Sequence, residues 1–130
     1  MLACESLIGW RIIAEPSALD DAVWPEGATI VRISPDDVYV IGAAEPAVSD
    51  PHAIVTPEHG FNGAALTADQ VAEIALRHIE WQLPVARPAL AQGQIAGVPA
   101  KLVLHADGSA LLLVATAAHH ELVARIGALA

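Results

Sequence analysis

Apolar positions along this chain switch between two periods, and the switches mark out strands separated by two amphipathic helices. Ile8, Trp10 and Ile12 recur at every second position within residues 7–14, which read as a first strand. Glu15-Pro16-Ser17 ends it, and residues 17–23 are expected to form a helical turn with Ser17 as its N-cap. Trp24-Pro25-Glu26-Gly27 is turn chemistry. Residues 28–33 and 38–41 read as two strands joined by Ser34-Pro35-Asp36-Asp37, since proline presets φ for a type I turn and aspartate suits its other positions. Val31 with Ile33, and Val38 with Val40, are expected to share one alternating pattern.

Residues 42–60 are rich in proline, alanine and acids and read as a long irregular connection, with room for a short extended piece at 53–56. Residues 61–66 form the next strand and lead straight into a helix. Thr67-Ala68-Asp69-Gln70 has the form of a capping box, in which two side chains satisfy backbone N–H groups at the helix start. Val71, Ile74, Ala75, His78 and Ile79 then follow the spacing of a core-facing stripe, and Pro84 is the expected stop. Residues 95–105 are expected to pair across Asp107-Gly108 with residues 110–115, because Asp-Gly suits a type I′ hairpin. The run 111–115 is apolar throughout and reads as buried on both faces. Thr116 is placed to cap a last helix to about residue 129, with Leu122, Ile126 and Leu129 inward and Glu121–Arg125 outward. The layout predicts an α+β fold: a mostly antiparallel sheet with two main helices packed on one face, in a single domain spanning 1–130.

Charge narrows the partners. Residues 1–58 carry ten acids against Arg11 and Arg32, whereas residues 59–130 carry five acids and four bases. With one lysine in the chain, phosphate neutralisation is out of reach, so nucleic acid and anionic membrane surfaces are excluded as expected partners. Charges or prolines interrupt every apolar run before it reaches the roughly 18–20 residues a spanning helix needs. The N-terminal residues carry Glu5 and no basic region, a poor signal peptide, and Cys4 is the only cysteine. A cytoplasmic protein is the expectation.

Candidate chemistry is sparse. His119-His120 are adjacent, so on a helix their side chains should diverge by about 100° and not share an ion. His52 and Glu58-His59 could offer metal ligands from the long loop, but spacing places no third. His78 borders an apolar stripe and His105 ends a strand. The pairs Asp20-Asp21 and Asp36-Asp37 sit in turns where consecutive side chains point apart. No serine occupies a nucleophile elbow, and Gly93-Gln94-Ile95-Ala96-Gly97 is not a phosphate loop. Trp10, Trp24 and Trp81 remain open between core packing and partner-surface anchoring. No catalytic, cofactor-binding or metal-binding residue is assigned.

Taken in order, three stretches resemble the gamma subunit family of heterotetrameric sarcosine oxidase, a relative of the folate-binding aminomethyltransferase fold of the glycine cleavage T-protein. Residues 32–41 look like that family's strand–Pro-Asp–strand hairpin. Residues 58–66 with 67–76 look like its strand feeding a helix, and 91–104 with 110–127 like its final hairpin and closing helix. The resemblance covers most of residues 24–127, and departs from the family at Gln82-Leu83 and Thr67-Ala68-Asp69. It implies a non-catalytic accessory subunit of a flavin-dependent, amine-demethylating complex. Flavin, NAD and folate would then sit on the larger flavoprotein subunits, with none held by this chain. A stand-alone folate-like ligand module and a homo-oligomeric scaffold are the alternatives.

Overall fold

The computed structural model describes residues 1–129 and contains nine strands and three α-helices. In chain order they are β1 (Glu5–Ser6), β2 (Gly9–Ile13), α1 (Pro16–Asp20), β3 (Thr29–Ser34), β4 (Asp37–Ile41), β5 (Ile54–Glu58) and β6 (Phe61–Leu66). They continue with α2 (Ala68–His78), β7 (Ala89–Ile95), β8 (Val98–Leu104), β9 (Ala110–Ala115), a 3₁₀ turn at Thr116–Ala118, and α3 (His119–Ile126). The architecture is α+β and every strand pairing is antiparallel. The strands fall into two sheets rather than the one expected. They belong to two compact units, residues 7–59 and residues 1–6 together with those from Gly60 on. No helix among the described residues is long and apolar enough to cross a membrane.

The larger unit carries the sheet β1-β6-β9-β8-β7. Alternate residues Leu66, Ala91, Leu102, Leu104, Leu112 and Val114 share one face, against which Val71 and Ile74 of α2 and Leu122 and Ile126 of α3 bury. Burying each such side chain stabilises by about 1.5–3 kcal/mol. The expectation of two helices on one sheet face holds within this unit. The capping box is formed, with Thr67 Oγ1 accepting from the Gln70 N–H at 3.2 Å and Gln70 Oε1 from the Thr67 N–H at 3.0 Å. The helix stops well before Pro84. Ile79 is extended at φ −119°, and the His78 carbonyl accepts from the Ala96 N–H at 2.8 Å. The chain then leaves the helix axis and lays Ile79, Trp81 and Leu83 on the core.

Two hairpins form where one is expected. Residues 95–105 are not one strand: Ala96 (φ 50°) and Gly97 (φ 78°) make a two-residue turn with positive φ at both centres, joining β7 to β8. That is type I′ geometry. At Asp107-Gly108 only Gly108 has positive φ (91°), and the Gly108 N–H returns to the His105 carbonyl at 3.1 Å. This is a three-residue connection of the type I plus glycine-bulge kind. An L-residue in the left-handed region costs about 1 kcal/mol, and asparagine tolerates it better than alanine. Ala96→Asn is therefore expected to stabilise the protein by about 0.5 kcal/mol in urea unfolding; a loss of stability would contradict the turn assignment.

Thr116 does not cap α3. Its hydroxyl donates to Asn62 Oδ1 at 2.7 Å, Ala118 takes the N-cap position without a side-chain bond, and α3 ends at Ile126 before Gly127 (φ 72°).

The smaller unit is the sheet β3-β4-β2-β5. Ile12, Val38 and Val40 lie on one face and pack with Leu19 of α1 and with Trp24, Ala28, Ile30, Val48 and Val55. Residues 42–60 are therefore only partly irregular: from Ile54 they form β5, which pairs with β2 along its whole length. The phase expected for the hairpin is also corrected. Val31 opposes Tyr39, while Ile30 and Arg32 oppose Val40 and Val38, and the register slips between Arg32 and Ser34. Ser17 does not cap α1 either. Glu15 holds that position with no side-chain bond, and Pro16 supplies the preset φ of the first turn.

Candidate functional site

Charged side chains in the smaller unit are committed to one another first. Arg11, at the centre of β2, forks onto Asp37 of β4 (Nε–Oδ1 2.5 Å, Nη2–Oδ2 2.7 Å) and donates through Nη1 to Glu58 of β5 at 3.1 Å. Paired N–H···O bonds of this kind fix geometry as well as charge, and here they tie three strands together. The hydrogen bond to Asp37 is the main cause of a raised Arg11 pKa, opposed by partial burial. Tyr39, opposite Arg11, is fully buried, and its phenol is pushed up to about 12, chiefly by desolvation and secondarily by the Glu58 charge. Gly9 leaves space beside it: a Cβ there would meet the Val40 carbonyl oxygen at 2.5 Å and Tyr39 Cε1 at 2.6 Å. Arg32, the unit's other base, donates to Asp20 and to the carbonyls of Ser34, Pro35 and Pro16. Both arginines serve the framework, so most of the unit's carboxylates have no cation beside them.

At one end of this sheet lies an open groove of about 560 Å³. Its floor is Ile13 and Ala14; one wall is the β3–β4 turn at Pro35-Asp36 and the other is Asp50, His52 and Ile54. Three bonds hold these segments. The Ala14 N–H donates to the Asp36 carbonyl at 3.1 Å, the Glu15 N–H to Asp50 Oδ2 at 2.9 Å, and the His52 N–H to Asp50 Oδ1 at 2.9 Å. The two backbone donors hold the Asp50 carboxyl below the usual carboxylate range. Ile13 and Ile54 are cross-strand partners and stay 38% and 60% exposed, an apolar strip inside an acidic rim of Glu15, Asp36 and Asp50.

The structure separates the sequence's other candidates. Asp20 faces Arg32 while Asp36 accepts from the Ser34 hydroxyl and Asp37 from Arg11, so neither acid pair acts as a unit. Glu58 is engaged by Arg11, and among the described residues no three His, Cys, Asp or Glu side chains gather as a metal site. His119 and His120 do not diverge: their ring centroids are 3.9 Å apart, because His119 Nδ1 turns back to the Thr116 carbonyl at 2.8 Å. Cys4 leads into β1 and its pKa is raised by burial, which disfavours the reactive thiolate. Trp81 serves the core. Its indole lies on Gly93, where a Cβ would come within 2.5 Å, and donates to the Gln94 carbonyl at 2.9 Å.

The groove escaped sequence reading because its lining comes from three separate stretches, 13–16, 35–36 and 50–54. One signal was available: Ile13 and Ile54 fall out of phase with the buried Ile12 and half-buried Val55 on the same strands. Comparison with models of known protein families, with curated proteins and with solved structures finds no match for this chain. The arrangement offers a recognition surface, an exposed apolar strip within an acidic rim.

Proposed function

We propose that this chain is an accessory, gamma-type subunit that docks onto larger flavoprotein subunits of a sarcosine oxidase-like complex, with a fold related to the folate-binding aminomethyltransferase domain. One observation carries the reading: the order of elements on which the family resemblance rests. A Pro-Asp turn joins β3 to β4, β6 runs into the capped helix α2, and the β8–β9 hairpin is followed by α3. The groove adds an exposed apolar strip of the kind that partner surfaces cover. In this reading the flavin, dinucleotide and folate chemistry belongs to the partners, and this chain supplies shape.

Co-expression with alpha- and beta-type flavoprotein subunits from the same genome tests it. The chain is expected to co-purify with them in fixed proportion; recovery of the chain alone would remove the proposal.

The second reading is a stand-alone module for a folate-like small ligand, for which the groove offers room. A folate-like anion fits it poorly, since Glu15, Asp36 and Asp50 form the rim. Nor do Arg87, Lys101 and Arg125 of the larger unit share a partner. Arg87 donates to the Pro84 carbonyl, Lys101 to Gln92, and Arg125 to Ala96 and Glu121. Calorimetric titration with tetrahydrofolate separates the readings: heat of binding supports the module, and its absence removes it.

A further inference from the structure

We infer that the groove of the smaller unit is a docking site for a short, extended protein segment that carries lysine or arginine beside an apolar residue. Three features select this occupant. Ile13 and Ile54 present adjacent exposed apolar side chains, directly opposite each other on β2 and β5, where an apolar side chain of the segment would be covered. β5 is the outer strand of its sheet, paired on one side only with β2, so the strip runs out to an open edge where an extended chain can enter and leave the groove. The third feature is charge. Residues 7–59 carry nine acids against Arg11 and Arg32, both bound within the framework, so no arginine or lysine lines the groove beside Glu15, Asp36 and Asp50, and His52 is the one basic side chain of its lining.

The polar details agree with a cationic side chain rather than a metal ion. Asp50 already accepts two backbone N–H groups, which fix its carboxylate at the rim and leave it other lone pairs for a guanidinium or ammonium. Asp36 holds the Ser34 hydroxyl at 2.8 Å and stands on the opposite wall. A segment lying between them can place its apolar residue on Ile13–Ile54 and a basic residue toward either wall. An acidic segment would meet only like charge.

This choice of occupant does not require a flavoprotein. Peptide binding without flavoprotein association would leave the groove standing and remove only the subunit proposal, whereas the reverse outcome would remove the groove alone.

The test uses the whole chain and two fluorescent pentapeptides, acetyl-Lys-Val-Arg-Val-Lys-amide and acetyl-Glu-Val-Glu-Val-Glu-amide, read by anisotropy. The basic peptide is expected to bind, more weakly as salt rises, and the acidic one to remain free. Ile54→Lys should weaken binding of the basic peptide at least about tenfold, as loss of the apolar contact adds to like-charge repulsion. Asp36→Asn should weaken it severalfold, and Val23→Lys, at an exposed residue outside the groove, should leave it unchanged. Backbone amide shifts of the wild-type protein should move at residues 13–16 and 50–54 on titration. No binding of the basic peptide at millimolar concentration, equal binding of both peptides, or shifts confined to residues outside the groove would overturn the inference.

Discussion

Gly9→Ala is expected to destabilise the protein by about 3 kcal/mol, the upper end of what overpacking a filled site costs. The reason is where the extra carbon must go. It would lie 2.5 Å from the Val40 carbonyl oxygen and 2.6 Å from Tyr39 Cε1, well inside van der Waals contact with both. A flexible side-chain tip could move aside, but the Val40 carbonyl belongs to the central strand β4, and Tyr39 is fully buried. The Ala variant must therefore part β2 from β4 near Gly9–Ile41 or displace the tyrosine ring. Chemical unfolding of wild type and variant measures the difference. A change under about 0.5 kcal/mol, the range of an ordinary surface substitution, would mean the close packing of Gly9 on Tyr39 is not present.

The second large effect is alkaline. The Tyr39 phenol has an unfolded-state value near 10 and is pushed up to about 12 in the folded protein. Below pH 10 both states keep the proton and the group contributes no pH dependence. Between pH 10 and pH 12 the unfolded chain loses its proton while the folded chain keeps it, so stability falls as pH rises. Two pH units correspond to about 2.7 kcal/mol. Tyr39→Phe should abolish this part of the alkaline loss. Tyr39 is the chain's only tyrosine, so tyrosinate absorbance reports on it alone. A native-state titration midpoint near 10 would contradict the burial.

Element types were legible where local chemistry and tertiary packing agree. The capping box at Thr67, the stripe through Val71 and Ile74, and the Pro35-Asp36 turn all form as their residues dictate. Reading failed where long-range contacts decide. β7 is Ala-Leu-Ala-Gln-Gly-Gln-Ile, poor in β-branched residues, and it is held by pairing with β8 and by Trp81 lying over Gly93. Ala96 adopts left-handed geometry that alanine does not favour, between the His78 carbonyl on one side and Arg125 on the other. The end of α2 was misplaced for the same reason: Pro84 is a local stop, but the carbonyl of His78 finds its partner in a turn eighteen residues on, at Ala96. Division of the strands between two sheets was also hidden, because alternation within a strand does not say which neighbour it pairs with. As for the groove, its acids were visible as a charge imbalance, yet only the pairing of Ile13 with Ile54 puts an apolar strip among them.

Sedimentation velocity on the purified chain mixed with purified flavoprotein alpha and beta subunits bears most directly on the view that this molecule contributes a docking shape. The proposal predicts one heavier, flavin-absorbing boundary that takes up the chain in a fixed ratio until the subunits are saturated. A chain that sediments at its own rate at every ratio, leaving the flavoprotein boundary unmoved, would contradict it.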